Sequence, residues 1–120
     1  MDVNELKEAI QSYKFFIEEL KRLKNSLETK PIDIFDIQIN PSRRDAQIRR
    51  KMEKVERKTS MLLKAMAEAD LTDKEWSVVD FTMEGATQRE LADHFGCSHT
   101  HIRRYLKSSC EKMESYLNGG

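Results

Sequence analysis

Side chains that could read a nucleic acid are concentrated between residues 98 and 107. Imidazole and hydroxyl groups form hydrogen bonds with base edges, and one guanidinium group can form two hydrogen bonds with a guanine. The residues that we predict to contact DNA bases are His99, Thr100, Arg103 and Arg104. Hydroxyls and cations near helix starts are suited to phosphates. The residues that we predict for that role are Thr87, Ser98 and Lys107. The alternative interpretation is an ordinary solvated helix face, because exposed polar residues are common.

Two helices joined by a glycine turn are predicted to position these residues. Thr87 and Glu90 have the spacing of a capping box, in which a hydroxyl precedes a glutamate by three residues. Gly96 permits the sharp turn that follows, and Ser98 caps the second helix. That helix buries Ile102 on its inner face. A short glycine-containing turn between two helices, followed by hydrogen-bonding side chains, is typical of a helix-turn-helix in the DNA major groove.

A further helix is predicted before this pair. Thr72 and Glu75 have the spacing of a second capping box, and Gly85 is placed to end the helix. The predicted apolar surface of this helix consists of Trp76, Val78, Val79, Phe81 and Met83. The three helices of the segment 71–118 are therefore predicted to begin near residues 73, 88 and 99, and the last to continue to residue 117.

The first 70 residues have the pattern of two long helices. Apolar residues recur at steps of three and four through residues 4–27 and again through 43–69, which is a heptad pattern. Such helices can fold back as an antiparallel hairpin, form a coiled coil with a second subunit, or do both. The residues predicted to mediate oligomerisation are Ile10, Tyr13, Ile17, Leu20, Val55 and Leu62. The sequence thus predicts an all-α chain, with a helical arm at 1–70 and a helix-turn-helix DNA-binding domain at 71–118.

The connection between the long helices, residues 29–42, contains Pro31 and Pro41, which end helices. Isoleucines alternate around two aspartates within it, a pattern that also fits a short strand. We favour an extended loop that packs isoleucines on the helices or on a second subunit, because a lone strand is only marginally stable.

The segment 42–58 contains eight basic and three acidic residues, a net charge of +5. If it lay along the DNA backbone it would add salt-dependent affinity. The auxiliary phosphate contacts predicted in that case are Arg49, Arg50 and Lys54. The interpretation that we favour is a solvated helix face matched to acids of the first helix. Those acids are Glu5, Glu8, Glu18 and Glu19.

Composition excludes several classes of protein. The 120 residues are 38% hydrophobic and 35% charged, without an apolar run that could span a membrane and without a signal-peptide pattern. Two cysteines do not form a disulfide framework, so we expect a reducing, cytoplasmic compartment. A formal net charge of zero excludes a bulk polycation of the histone kind.

Metal-binding and catalytic patterns are weak. Four potential zinc ligands lie within eight residues, and they are His94, Cys97, His99 and His101. They start from a turn and from two different helices, which does not make a zinc-binding unit. No glycine-rich phosphate loop is recognisable, and no nucleophile is set beside a histidine. We therefore predict no catalytic residue, no metal, no cofactor and no small-molecule substrate, and we expect the chain not to be an enzyme.

The pattern over residues 71–113 resembles region 4 of bacterial sigma-70 factors and the related helix-turn-helix of LuxR-type regulators. The matching positions are Leu71, Thr72, Glu75, Val78, Val79, 84–87, 90–92, 96–98, Ile102, Arg103 and Leu106. The resemblance implies that side chains just after Ser98, and one turn later, read bases. Sigma factors have an arginine and a glutamate there, so their promoter specificity is not implied. With its N-terminal helices, the chain is similar to small phage late-gene regulators of the RinA and ArpU type. Phage small terminase subunits share the architecture but usually have the two parts in the reverse order.

Three functions remain open from the sequence. The first is a sequence-specific, dimeric transcriptional regulator of phage or prophage origin that binds double-stranded DNA in the bacterial cytoplasm. The second is an adaptor that binds RNA polymerase or a sigma subunit, and a phage small terminase subunit that recognises DNA is a further alternative. Residues 71–118 contain six basic and eight acidic residues. Their net charge of −2 keeps the adaptor open, because DNA-binding surfaces are usually basic, but the local charge around Arg103 favours the regulator.

Overall fold

The computed structural model describes residues 1–27 and 43–119. Five helices occupy these ranges, and they are α1 (Val3–Asn25), α2 (Arg43–Glu68), α3 (Asp73–Met83), α4 (Gln88–Phe95) and α5 (His99–Leu117). The described residues contain no strand, so the predicted all-α class is confirmed for this part of the chain. Within it, no helix has both the length and the apolar character of a membrane-spanning segment. The predicted connection at 29–42 lies outside the described residues.

The three C-terminal helices begin at the residues that the sequence predicts, because local caps fix their starts. At α3, the Thr72 hydroxyl accepts a hydrogen bond from the Glu75 amide at 3.3 Å, and the Glu75 carboxylate accepts one from the Thr72 amide at 3.0 Å. At α4, Thr87 and Glu90 form the same reciprocal pair at 3.2 and 3.4 Å. Both predicted capping boxes are therefore confirmed.

The turn between α4 and α5 depends on a glycine in the left-handed region. Gly96 has a φ of +64°, a conformation that side chains with a Cβ rarely adopt. Ser98 then caps α5, since its Oγ accepts a hydrogen bond from the His101 amide at 3.4 Å. The helix continues to Leu117, as the sequence predicts.

One hydrophobic core receives side chains from all five helices. Leu6, Ala9 and Ile10 of α1 lie in the same buried cluster as Ile102 and Leu106 of α5. The predicted boundary near residue 70 therefore does not separate two cores. Helices α1 and α2 therefore stabilise α3, α4 and α5 and are stabilised by them.

Two of the six residues predicted to mediate oligomerisation lie inside this core. Ile10 is 0% exposed and Leu62 is 1% exposed, so both pack within their own chain and not against a second subunit. The physical reason is that α1 and α2 pack on α5 of the same chain. A heptad pattern of apolar residues can pack on a helix of the same chain as well as on a helix of another. The other four residues are half-buried, and they are Tyr13, Ile17, Leu20 and Val55.

Helix α3 buries an acidic residue next to the aromatic one that the sequence predicts as apolar surface. Trp76 is 44% exposed, whereas Glu75 is only 3% exposed. Residues three and four apart share a helix face, so the rotation that buries Val78 and Val79 also turns residue 75 inward and residue 76 outward. Lys112 of α5 meets the buried carboxylate, with Nζ donating to Oε1 at 2.6 Å.

Candidate nucleic-acid interface

The N-terminal half of α5 presents all four predicted base-reading residues to solvent. The exposed residues are His99, Thr100, Arg103 and Arg104. Ile102 and Leu106 of the same helix are buried in the core. Because side chains three and four apart share a face, the burial of these two residues fixes the outward face of α5. The structure thus gathers the four candidates on one exposed surface.

Arg103 is connected to the start of α4. Its Nε donates a hydrogen bond to Oε1 of Gln88, the first residue of α4, at 3.3 Å. A guanidinium group has four further N–H donors, enough for a bidentate contact with guanine while this bond orients the side chain. No local sequence pattern indicates the bond, since its partners are 15 residues apart.

Thr87 and Ser98, both predicted phosphate contacts, use their hydroxyls in helix caps. Thr87 Oγ1 donates to the Glu90 carboxylate at 3.1 Å, and Ser98 Oγ lies 2.9 Å from Nδ1 of His101. A hydroxyl has one proton to donate, so a phosphate would compete with the Glu90 carboxylate for the proton of Thr87, whereas the donor of the Ser98–His101 bond depends on the imidazole tautomer. Both residues are nonetheless exposed beside helix N-termini, whose first backbone amides have no partner within the helix.

His101 is the residue of this surface whose role the sequence reasoning missed. It is exposed in the first turn of α5, and both its amide and its ring face Ser98. The three-residue spacing from a capping serine could have indicated the amide bond. The ring bond depends on the side-chain rotamer, for which the sequence has no signal.

Lys107 lies at the outer edge of the same surface and is exposed. It follows His99 by eight residues, which is about 12 Å along a helix. The phosphate contact of Lys107 stays a prediction from the sequence.

An aromatic cluster holds α4 against α3. The His94 ring lies 5.2 Å from Phe81 and 4.9 Å from Phe95, and the two phenylalanines are 6.1 Å apart, measured between ring centroids. The ring of His94 thus packs at the exposed edge of this cluster. Among residues 1–27 and 43–119, no group of three or more histidine, cysteine, aspartate or glutamate side chains is arranged to hold a metal ion.

The two cysteines differ in environment. Cys110 is buried in the core, and that burial raises the pKa of its thiol to about 11. The thiolate is the reactive form of cysteine, so Cys110 is a packing residue near neutral pH. Cys97 is half-buried in the turn between α4 and α5.

The basic residues of α2 face solvent, including the three predicted auxiliary phosphate contacts, Arg49, Arg50 and Lys54. The sequence predicts that acids of the first helix match them. Of those acids, Glu19 instead pairs with Arg22 of its own helix at 4.0 Å. Among the described residues, no ion pair joins the four acids to these three basic residues.

Comparisons of the chain with known protein families, with curated proteins and with solved structures found no match.

Proposed function

We propose that this chain is a sequence-specific DNA-binding transcriptional regulator in which α5 enters the major groove. The observation that carries the proposal is a pair of capped helices joined at Gly96, with exposed polar side chains at the start of the second helix. Helix-turn-helix units present base-reading residues in this way, from the N-terminal part of their second helix.

The residues of α5 divide naturally into two roles. Arg103 is suited to a bidentate contact with guanine, and His99 and Thr100 are suited to single hydrogen bonds with base edges. Arg104 extends the same face by one position. Lys107 holds a phosphate and so sets the orientation of the helix without reading sequence.

The wider assignment is a phage or prophage regulator that acts as a dimer in the bacterial cytoplasm. Support comes from the sigma-like pattern of residues 71–113 and from the half-buried apolar residues of α1 and α2, such as Ile17 and Leu20. A dimer would set the distance between two α5 helices, and therefore the spacing of two half-sites on DNA.

The first experiment selects preferred duplexes from a random library and measures their affinity by fluorescence anisotropy. Arg103→Ala should weaken binding to the selected duplex by about 1–3 kcal/mol, with much less effect on a scrambled duplex and no loss of thermal stability, because the residue is exposed. Lys64→Ala is the matched control, since it removes one exposed positive charge from α2. If Arg103→Ala binds the selected duplex as tightly as the parent, α5 does not read its sequence.

A second candidate function is an adaptor that binds RNA polymerase or a sigma subunit. The observation that favours it is Trp76, the single tryptophan, which is 44% exposed on α3 in a segment of net negative charge. Tryptophan is enriched at the centres of protein interfaces. Trp76→Ala should abolish capture of purified polymerase if this function holds, whereas Leu63→Ala, another exposed apolar residue, should not.

A further inference from the structure

Helix α1 runs along α5 toward the candidate interface, and its C-terminal part extends beyond the start of α5. Lys7 lies within electrostatic range of the Cys110 thiol, and Gln11 lines a crevice of about 260 Å³ together with Ile102. Farther along α1, Lys14 lies over Gly85, with its Cδ 3.0 Å from where a Cβ would be. Helix α1 therefore runs from the C-terminal half of α5 toward the start of α5 and the turn between α3 and α4. Eleven more residues follow in α1, a length of about 16 Å.

Helix α2 packs along the part of α1 that extends beyond the core. Its C-terminal half belongs to the core, through Leu62 and Met66. Its N-terminal half packs on the extending part of α1, where Lys58 Nζ lies 5.3 Å from the centroid of the Phe16 ring. We call residues 15–25 and 43–58 the projecting segment.

Positive charge is concentrated in the projecting segment. It contains eleven basic and five acidic residues, a net charge of +6, whereas the other described residues together carry −4. The helices that form the candidate interface, residues 71–119, carry −2. Apart from the local cations of α5, those helices therefore add no net electrostatic attraction for DNA, whereas the projecting segment does.

Four cations of the projecting segment form one row on α2. Arg43, Arg50, Lys54 and Arg57 are separated by seven, four and three residues, which places them on one helix face, and all four are exposed. Arg57 has an exposed partner in its own helix, Glu53 at 3.7 Å. We call these four residues the basic row.

We infer that the basic row is a second DNA-binding surface, which binds the phosphates of the duplex that flank the bases read by α5. The inference rests on the proposed function. A linear row of cations at intervals of one or two helical turns suits the regularly spaced charges of a nucleic-acid backbone. The projecting segment also leaves the core at the end of the molecule where α5 begins, which is the end that carries the candidate base-contacting residues.

The test compares Arg50→Ala/Lys54→Ala with the parent on the selected duplex and on a scrambled duplex, over a series of salt concentrations. The double variant should lose affinity equally for both sequences, and the slope of log Kd against log salt should fall by about two, one for each phosphate contact removed. Lys64→Ala, ten residues beyond Lys54 on the same helix and level with the core, should leave the slope at the parent value. Circular dichroism checks that each variant is folded.

A second arm shortens the duplex to the bases read by α5. The difference between the parent and Arg50→Ala/Lys54→Ala should then disappear, because the flanking phosphates are gone. If the double variant keeps the parent slope on the long duplex, the inference is overturned while an effect of Arg103→Ala preserves the proposed function. If the parent prefers no duplex at all, the proposed function fails. If the parent then binds polyglutamate and the Arg50→Ala/Lys54→Ala variant does not, the basic row binds an acidic protein. The inference that it binds DNA then fails together with the proposed function.

Discussion

Glu75 and Lys112 form an ion pair between α3 and α5, with Nζ of the lysine 2.6 Å from Oε1 of the glutamate. Burial on its own raises the pKa of Glu75, but its hydrogen bonds, led by the one from Lys112, lower that pKa to about 2. The same carboxylate accepts the Thr72 amide in the cap of α3. One side chain therefore fixes the start of α3 and also holds it to the C-terminal half of α5.

We expect the fold to lose stability in acid because of Glu75. Its pKa in the folded chain is about 2, below the ordinary value of 4.5, so its contribution is complete above pH 4.5 and is lost as the pH falls toward 2. The shift corresponds to about 3 kcal/mol, of which about 2 should be lost between pH 6 and pH 3. Urea unfolding of the parent and of Glu75→Gln at the two pH values measures it, since glutamine still fits a capping box.

In that experiment, Glu75→Gln should depend less on pH than the parent does. Glu111→Gln, which removes an exposed carboxylate from α5, is the control and should follow the parent. The same loss of unfolding free energy in the Glu75→Gln variant and the parent would show that another group causes the acid sensitivity.

Lys112→Met should destabilise the fold by about 2 kcal/mol at neutral pH. The methionine keeps most of the aliphatic stem, but the buried Glu75 carboxylate loses its cation, which is the costly way to break such a pair. Adding Glu75→Gln should recover part of the loss, because a neutral amide needs no cation. A double-mutant cycle from urea unfolding measures the coupling, and strictly additive effects would mean that the pair contributes nothing.

Gly96→Ala should cost about 1–2 kcal/mol of unfolding free energy. The φ of +64° is unfavourable for any residue with a Cβ, and no atom lies within 4 Å of the added group, so the cost is in the backbone alone. Gly96→Asn should cost less, because asparagine tolerates this conformation. Gly119→Ala is the control at another positive φ, because Gly119 does not connect two of the described helices. If Gly96→Ala lowers the unfolding free energy no more than Gly119→Ala does, the turn between α4 and α5 is not held in the left-handed conformation.

Charged substitutions on α1 should separate folding from assembly. Ile10→Glu should unfold the chain, because residue 10 is inside the core. Ile17→Glu/Leu20→Glu should convert a dimer to folded monomers, because these half-buried residues have apolar surface left for a second subunit. Size-exclusion chromatography with light scattering gives the mass, and circular dichroism gives the fold. A parent that is monomeric at micromolar concentration would show that the heptad pattern serves only the intramolecular core.

Features that depend on a few neighbouring residues could be predicted from the sequence. The starts of α3, α4 and α5 follow from Thr72, Thr87 and Ser98, because a cap is made within one helical turn. The left-handed turn follows from Gly96 for the same reason. The exposed face of α5 follows from the spacing of its buried residues.

Features that depend on how helices meet could not be predicted. The heptad pattern of α1 has the same form whether its partner lies in the same chain or in another, so the burial of Ile10 has no signal of its own. Glu75 matched the capping pattern, but nothing near it indicates Lys112, which is 37 residues away. The bond between Arg103 and Gln88 likewise exists only because α4 and α5 cross.

Trp76 gives this chain an internal optical probe. It is the single tryptophan, and it lies with its indole partly in water on α3, a different helix from the candidate base-contacting residues of α5. Indole emission shifts to shorter wavelength when water is excluded, so docking of a protein on α3 would change the spectrum. A duplex seated on α5 alone would leave it unchanged. The intrinsic fluorescence of the unlabelled protein can therefore distinguish the two kinds of partner in one cuvette.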